Sequence, residues 1–387
     1  MIKSCLMILL MHIARVVHVF PPEVRVDPFY SYELSVRQAA RGHRVSVATW
    51  TRQRTANKVK VAEGFEVYRL KGVNFRLNGK ISEYPLLPNL SNLLKNIKPD
   101  IIHAHSHLFL TTFSAVKAAK KLRLPSVVTV HGVSAERDAF TNFAQSSYLY
   151  TVGRWIFRNA TRIICLTRSD AYEVMRCGAD RSKIRIVPNA VDLNLFKPST
   201  EKSNDPLFVW VGNFVPEKGL RYLVKAIEVV IRECNDAKFI LIGDGPMFPL
   251  IKEMVKKSGL NDYVRFTGFM DPKSVSYILS KATGFVFPSL KEGMPKAVLE
   301  AMACGLPIIA SNISGTDEFV TNGYDGLLVP PKNPQALGEA ILNIVNNRNL
   351  AARLGANAKK TVETDHNWNT ILDTLNSIYE EAVTYNL

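Results

Sequence analysis

The segment GFVFPSLKEGMPKAVLEAMACGLPIIAS, residues 284–311, decides the fold. It begins with the apolar run GFVFP (284–288) and ends with a second, PIIAS (307–311), and both runs are typical of short buried strands. The part between them has a helical pattern, which we expect to begin near Pro295 because proline suits the first helical position. A strand, a helix and a second strand in this order predict an α/β unit with parallel strands.

The same alternation of apolar runs and helix-length stretches continues along the whole chain. Predicted strands occupy 15–20, 44–50, 100–105, 126–132, 162–167, 184–188, 206–212, 237–243, 263–268, 284–288 and 307–311. Continuous apolar strands are typical of parallel sheets buried on both faces. We therefore predict two doubly wound Rossmann-like α/β domains, residues 1–190 and 191–368, joined within the Pro-, Asn- and Ser-rich stretch 187–206. The tail, 369–387, has an amphipathic helical pattern.

Composition indicates a soluble globular protein, with 47% hydrophobic and 21% charged residues among 387. The five cysteines form no C-x-x-C pair, so neither a disulfide framework nor a zinc knuckle is indicated, and we expect a reduced, cytoplasmic setting. The apolar run Cys5–Met11 is far shorter than the ~20 residues that a membrane span needs. It also lacks the cleavage site of a signal peptide, so we treat residues 1–10 as an optional extension.

The net positive charge of the chain lies in its first half. Residues 1–190 contain 29 Lys and Arg against 12 Asp and Glu, whereas residues 191–387 contain 20 against 22. Such an asymmetry suggests an anionic partner for the first domain, whether a membrane surface, a nucleic acid or another polyanion.

Glycine turns follow two predicted strands of the second domain. Gly212 ends one strand, and Lys218 follows in what we expect to be the first turn of a helix beginning near Pro216. A glycine there lets a ligand approach the backbone, and a lysine beside free helix N–H groups suits a phosphate, although a solvent-facing lysine would have the same pattern. The turn LIGDGP (241–246), with Gly243, is similar and is more often structural.

Two glutamates, Glu292 and Glu300, lie on either side of the predicted helix start at Pro295. Since proline has no N–H, the free backbone donors would be those of Lys296 and Ala297, where the helix dipole favours an anion. Carboxylates flanking such a site can accept hydrogen bonds from hydroxyls, as from a sugar and a ribose on either side of a diphosphate. An exposed Glu300 is the alternative, but its apolar surroundings argue against it.

Histidines are the other candidates for chemistry. His131 ends a strand, where it can donate to a substrate oxygen or be an ordinary surface residue. His103, His105 and His107 alternate, so we expect them on one strand face, but no carboxylate or cysteine completes a metal site. The chain has no D-x-D pair, no G-x-G-x-x-G after the first strand and no G-x-S-x-G elbow, which disfavours a nicotinamide dehydrogenase and a serine hydrolase.

With these residues in place, the chain resembles the retaining glycosyltransferases of family four, which have the GT-B fold of two domains facing a cleft. The most specific match is EGMPKAVLEAMACGLPIIAS (292–311), which is similar to the family's E-x7-E donor motif. Further matches are ARGHRVSVAT, VTVHG, VPNAVDLNLFKP, VGNFVPEKGL and IGDGP. The resemblance covers nearly the whole chain.

The resemblance implies a role for each of these residues. Glu300 would hold the ribose hydroxyls of a nucleoside-diphosphate sugar of UDP or GDP type, Glu292 would contact the transferred sugar, and Lys218 would neutralise the diphosphate. His131 would face the sugar from the first domain, making His131, Lys218 and Glu292 the catalytic residues. The implied donor-binding set is Gly212, Asn213, Lys218, Gly243, Gly268, Phe269, Glu292, Gly293, Met294, Pro295, Lys296, Ala297 and Glu300.

The implied enzyme uses neither a metal nor a cofactor, and it transfers a hexose-type sugar to a saccharide or lipid-linked acceptor. The acceptor side would include Arg25 and His105, and helix 369–387 would pack back on the first domain. The basic first domain, including the helix with Lys117, Lys120, Lys121 and Arg123, would contact an anionic membrane at its cytoplasmic face, and no nucleic acid is expected.

Two departures from the family pattern keep alternatives open. The first loop, Glu23–Asp27, lacks the usual glycine pair, and Asn213 replaces a frequent arginine. A GT-B-fold epimerase acting on a nucleotide sugar and a non-catalytic saccharide- or lipid-binding relative therefore remain as alternatives to sugar transfer.

Overall fold

The computed structural model describes residues 9–21, 29–51, 57–76, 83–132, 146–201 and 203–386. The chain divides into two compact units. Unit 1 comprises the described residues up to Val187 together with those from Leu372 onward, and unit 2 is Pro188–Ile371. Arg25 lies outside the described residues, as does the whole of the loop Glu23–Asp27.

Unit 1 contains an eight-stranded sheet in the order β10-β9-β8-β7-β1-β2-β4-β3, in which only the edge strand β3 is antiparallel. A separate hairpin consists of β5 and β6. The strands are β1 His12–Val16, β2 Arg44–Trp50, β3 Asn57–Ala62, β4 Phe65–Leu70, β5 Val73–Arg76, β6 Glu83–Leu86, β7 Ile101–His105, β8 Ser126–Val130, β9 Arg162–Cys165 and β10 Ile184–Ile186. The described helices are α1 Phe29–Ala40, α2 Leu90–Ile97, α3 Leu110–Leu122, α4 Arg154–Asn159 and α5 Arg168–Arg176.

Unit 2 is built on a six-stranded, wholly parallel sheet in the order β13-β12-β11-β14-β15-β16. Its strands are β11 Leu207–Val211, β12 Lys238–Ile242, β13 Val264–Gly268, β14 Gly284–Phe287, β15 Ile308–Ser311 and β16 Gly326–Val329. Its helices are α6 Leu220–Glu233, α7 Phe248–Lys257, α8 Pro272–Lys281, α9 Lys296–Ala303, α10 Pro334–Asn346 and α11 Arg348–Asp365. The last helix, α12 Trp368–Asn386, contains the second division between the units.

Both faces of the unit 2 sheet are buried, as its apolar strands predict. Trp210 packs on one face with Leu223 of α6, and the preceding residue, Val209, packs on the other face with Leu299 of α9. Successive strand residues point to opposite faces, so a strand covered on both sides must be apolar throughout. The predicted doubly wound α/β class is confirmed.

The predicted position of the first strand is wrong. It was expected at 15–20, but β1 ends at Val16, where its register with β2 ends. The following Val17 and Phe20 are nevertheless buried, in a cluster with Val47 of β2. Their apolar character therefore serves core packing beyond the strand end, which a linear pattern does not separate from strand pairing.

A glycine fixes the path of the chain between β11 and α6. Gly219 has φ +66°, and a Cβ there would lie 2.0 Å from the carbonyl oxygen of Pro288, just after β14. Gly259, after α7, has φ +68°, but a Cβ added there would have no atom within 4 Å. The two glycines share one conformation and differ in the space around them.

This difference predicts unequal costs for two alanine substitutions. Gly219→Ala and Gly259→Ala should each lower the free energy of unfolding by about 1–2 kcal/mol because alanine disfavours the left-handed conformation. Gly219→Ala loses about 1–3 kcal/mol more because its methyl group overlaps a backbone carbonyl. Urea unfolding of the two variants measures the difference, and equal losses would show that the chain relaxes freely at Gly219.

Candidate active site

In unit 2 the strand order reverses between β11 and β14, since β12 and β13 extend the sheet on one side and β15 and β16 on the other. Ligands of open α/β sheets bind beyond the carboxyl ends of the strands at such a switch point. The loop after β11 carries Lys218, and the loop after β14 carries Glu292. Both predicted residues therefore lie at the place where this fold binds ligands.

Lys218 and Glu292 form an ion pair across these two loops. Lys218 Nζ lies 2.6 Å from Glu292 Oε1 and 5.6 Å from the ring centroid of Phe287. The lysine side chain is 22% exposed and the glutamate side chain 8% exposed. The pair thus presents a cation that solvent reaches, held in place by a nearly buried carboxylate.

The helix predicted to contain Lys218 is divided in two. Pro216–Lys218 form a short 3-10 turn, and α6 begins only at Leu220, after the left-handed Gly219. The placement of Lys218 in the first turn of the α-helix is therefore wrong. At Gly219 the backbone is left-handed and lies against the carbonyl of Pro288, so this position between the two helical segments favours glycine.

The start of α9 follows the prediction with one correction. Pro295 is the N-cap residue, with φ −73° and ψ 118°, and not the first helical residue, so α9 begins at Lys296. No side chain caps this end. The loop before it is held by Asn189, whose Nδ2 donates to the carbonyl oxygen of Met294 at 3.0 Å. Sequence reasoning missed Asn189, because nothing local to it indicates a partner 105 residues away.

The other predicted donor residues lie on the same edge of the sheet. Gly243 follows β12 and donates a backbone hydrogen bond of 2.9 Å to Gly268, the last residue of β13. Phe269, the next residue, is 66% exposed. Asn213 is exposed after β11, and Gly293 and Ala297 are half-buried around the start of α9. Glu300 is half-buried between the buried residues Leu299 and Ala301, so the fully exposed alternative is excluded.

In unit 1 the strand order reverses between β1 and β7, and histidines lie at the carboxyl ends of three adjacent strands. His18 follows β1, His105 ends β7, and His131 follows β8. His105 Nδ1 and His131 Nε2 are 3.1 Å apart. The structure thus brings together the predicted His131 and His105 and adds His18, which stacks on Phe109 at a centroid distance of 3.5 Å.

The expectation that three alternating histidines share one strand face is wrong for His107. The rings of His103 and His105 stack at a centroid distance of 4.3 Å, but His107 packs against Phe157. The reason is Ser106, whose φ of +66° ends the extended strand. Among the described residues, no group of three or more His, Cys, Asp or Glu is placed to hold a metal ion.

Burial keeps His18, His103 and His105 neutral near pH 7. It lowers the pKa of His18 to about 4, with His131 contributing, and it lowers the pKa of His103 and His105 well below the ordinary value. Neighbouring histidines and Arg15 add to the effect on His105. A neutral imidazole both donates and accepts, so this edge of the sheet suits hydroxyl groups.

Comparison with known proteins decides the family. The family Glycosyltransferase Family 4 matches residues 29–195, and Glycosyl transferases group 1 matches residues 192–361. A galactosyltransferase of Escherichia coli, UDP-Gal:alpha-D-GlcNAc-diphosphoundecaprenol alpha-1,3-galactosyltransferase, is 30% identical over 323 residues, which are 78% of this chain and 81% of that protein. The chain is a family 4 glycosyltransferase.

Solved structures agree on the fold of this glycosyltransferase. Sucrose-phosphate synthase from Thermosynechococcus elongatus matches with a TM-score of 0.81 at 22% identity, covering 96% of this chain and 99% of that one. HepE from Anabaena, in complex with UDP, matches with a TM-score of 0.76 at 18% identity, covering 96% and 100%. The predicted GT-B fold is confirmed. In the described part of the chain, no helix has the length and apolar character to cross a membrane.

The buried histidines of the glycosyltransferase predict a loss of stability in mild acid. Burial lowers the pKa of His12, His18, His43, His103 and His105, all in unit 1, below the value of about 6.5 in an unfolded chain. The unfolded state therefore binds protons first as the pH falls, so stability is present above about pH 6.5 and is lost below it.

We expect the free energy of unfolding to fall by more than about 1.4 kcal/mol per pH unit between about pH 6.5 and about pH 5.5, since more than one proton is taken up. His18→Gln removes one of these groups and should reduce the slope by up to about 1.4 kcal/mol per pH unit. Chemical denaturation over this range measures both slopes. A stability independent of pH would contradict the expectation.

Proposed function

We propose that this glycosyltransferase moves a hexose-type sugar from a nucleoside-diphosphate donor of UDP or GDP type to a lipid-linked or saccharide acceptor, with retention of anomeric configuration and without a metal. The observation that carries the proposal is the ion pair between Lys218 and Glu292 at the unit 2 switch point, beside the uncapped start of α9. A cation, free helix N–H groups and a carboxylate together suit a diphosphate bonded to a sugar.

The diphosphate would lie over the start of α9. The N–H groups of Lys296 and Ala297 belong to the first turn of the helix and have no partner within it, and the helix dipole favours negative charge there. Lys218 adds a full positive charge from the opposite loop. Negative charge grows on the diphosphate oxygens as the bond to the sugar breaks. These fixed donors therefore stabilise the transition state more than the ground state.

The two glutamates would bind the two ends of the donor. Glu292 is nearly buried and already accepts a hydrogen bond from Lys218, which leaves its second oxygen for a sugar hydroxyl. Glu300 lies about one turn into α9, where a half-buried carboxylate suits the ribose hydroxyls. The exposed ring of Phe269, at the end of β13, offers a face on which a base can stack.

Retention without a metal would use the same groups. If the acceptor attacks from the face that the diphosphate leaves, a leaving phosphate oxygen can take the acceptor proton, and no carboxylate is needed as a base on the opposite face. Lys218 and the helix amides then supply the charge stabilisation that a metal would otherwise supply. The relatives support the donor and acceptor classes, since the Escherichia coli protein is named for UDP-Gal and a diphosphoundecaprenol-linked GlcNAc, and HepE was crystallised with UDP.

The proposal is tested by ligand-induced stabilisation followed by turnover. A panel of UDP, GDP, UDP-galactose, UDP-glucose and GDP-mannose is screened by thermal shift, since a ligand at 100 times its dissociation constant stabilises by about 2.7 kcal/mol. Each stabilising sugar nucleotide is then incubated with chelator and with a saccharide or polyprenyl-diphosphate-linked sugar as acceptor, and released nucleoside diphosphate is measured. Release without metal supports transfer chemistry; interconversion of sugar nucleotides without release indicates an epimerase; binding without either indicates a non-catalytic relative.

Removing Lys218 should weaken nucleotide binding. We expect Lys218→Ala to reduce affinity for the stabilising nucleoside diphosphate by about tenfold to a hundredfold, because a charged hydrogen bond contributes about 1.5–3 kcal/mol. Lys225→Ala is the matched control, since Lys225 is an exposed lysine on α6 about two turns away. Calorimetric titration measures both, and equal affinities for the two variants would refute the assignment of Lys218.

We also propose that the basic face of unit 1 contacts an anionic membrane. Lys117, Lys120 and Lys121 are exposed on α3, and each basic residue near such a surface contributes about 1 kcal/mol. The proposal joins this face to a lipid-linked acceptor, which would be held at the same surface.

Vesicle sedimentation tests the contact. The wild type should bind vesicles with anionic phospholipid more tightly than neutral ones at low salt, and the triple variant Lys117→Gln/Lys120→Gln/Lys121→Gln should lose at least about tenfold in affinity. The control replaces three exposed lysines of unit 2, Lys225, Lys252 and Lys256, by glutamine. Binding that ignores lipid charge, or an equal loss in the control, would contradict the proposal.

A further inference from the structure

Arg15 brings a full positive charge into the interior of unit 1. Its side chain is completely buried on β1, and among the described residues no carboxylate forms an ion pair with it. Its guanidinium donates instead to neutral acceptors, namely Ser35 Oγ, Gln38 Oε1 at 2.5 Å and His105 Nε2 at 3.2 Å. Arginine is always charged and only donates, so the direction of each of these bonds is fixed.

The bond from Arg15 determines which nitrogen of His105 carries the proton. Because Arg15 Nε donates to His105 Nε2, this nitrogen is unprotonated, and the proton of the ring is on Nδ1. His105 Nδ1 lies 3.1 Å from His131 Nε2 and is therefore the donor of that bond. His131 Nε2 must accept, so His131 is neutral and carries its proton on Nδ1.

The geometry of the two rings supports a hydrogen bond of this kind. Their planes differ by 21° and their centroids are 5.4 Å apart, farther than the two bonded nitrogens, so the rings lie edge to edge and not face to face. Strand pairing sets up this arrangement. Arg15 is opposite His103 in the pairing of β1 with β7, and His105 is opposite Thr129 in the pairing of β7 with β8.

We propose that Arg15 and His105 are positioning residues that hold His131 as the neutral Nδ1–H tautomer, so that His131 acts on substrate as a hydrogen-bond donor and not as a cation. The use of this donor on a sugar oxygen rests on the proposed function. The chain of bonds from Arg15 to His131 does not, because it is a property of the free protein.

The surroundings of the chain support a neutral His131. Among the described residues, the titratable side chains that contact or influence these three residues are His18 after β1, His43 after α1, His103 on β7, Tyr30 on α1 and Tyr379 on α12. Burial lowers the pKa of the three histidines and raises the pKa of the two tyrosines, so all five are neutral near pH 7.

Arg15 is held from two sides. Gln38, which accepts from Arg15, donates its Nε2 to the hydroxyl of Tyr379, and that hydroxyl lies 2.6 Å from His103 Nδ1. His103 Nε2 in turn lies 2.7 Å from Thr129 Oγ1. The last helix of the chain therefore fixes the guanidinium through Tyr379, and the guanidinium fixes the histidines.

Nitrogen-15 NMR of histidine-labelled protein tests the proposal without any substrate. The protein has eight histidines, and the His131 signals are assigned by their loss in His131→Gln. We expect the wild type to show an unprotonated Nε2 and a protonated Nδ1 for both His105 and His131, unchanged through about pH 6 to 7, where a free imidazole titrates.

Two substitutions of His105 separate positioning from packing. In His105→Gln the amide oxygen accepts from Arg15 and the NH2 group donates to His131, so His131 should keep the Nδ1–H tautomer. In His105→Phe neither bond exists, and the unprotonated Nε2 signal of His131 should be lost or reduced and should become dependent on pH. His12→Gln is the control, since His12 bonds Ser46 at the other end of β1 and should leave His131 unchanged.

A proton on Nε2 of His131 in the wild type overturns the proposal, as does an unchanged His131 signal in His105→Phe. The wild-type spectrum decides the matter even if a variant fails to fold. Because no sugar nucleotide is present, failure here is distinct from failure of the donor assays that test the proposed function.

Discussion

Both units depend on the same constraint of doubly wound parallel sheets. Where the strand order reverses, the connections that follow the two central strands run to opposite sides, and no connection covers the crevice at the carboxyl ends of these strands. In unit 1 this place is between β1 and β7, and in unit 2 it is between β11 and β14. The candidate functional residues lie at these two places: His105 in unit 1, and the ion pair of Lys218 and Glu292 in unit 2.

The two switch points have different chemistry. The one in unit 2 suits the diphosphate of a sugar donor, and the one in unit 1 suits hydroxyl groups. In unit 2 a solvent-accessible ammonium and a nearly buried carboxylate are available, and they suit an anionic diphosphate and the hydroxyls beside it. In unit 1 the charge is buried in Arg15, and among the described residues at this edge of the sheet burial lowers the pKa of His18 and His105. Neutral groups that donate and accept suit hydroxyls.

The sequence predicts elements well where burial follows a simple period, and poorly where partners are distant. Strand β2 is found where its apolar run predicts it, whereas the edge strand β3, NKVKVA, was missed because its side chains are mostly exposed. Lys218 and Glu292 could each be placed at a strand end, but their contact across 74 residues requires the order of the strands. The role of Arg15 could not be predicted from the sequence. Its burial depends on hydrogen-bond acceptors from α1 and β7, and no local pattern connects these elements to β1.

The glycines of unit 2 show why a motif does not by itself identify a ligand contact. A Cβ at Gly243, where φ is +130°, would lie 1.9 Å from the carbonyl oxygen of Gly212, and one at Gly212 would lie 3.0 Å from the ring of Trp210. Packing alone therefore requires glycine at 243 and leaves little room for a side chain at 212, with or without a nucleotide. Gly268 differs, because its φ of +70° favours glycine but a Cβ there would meet nothing within 4 Å. Of these three turns, only the one at Gly268 has open space into which a ligand can approach the backbone.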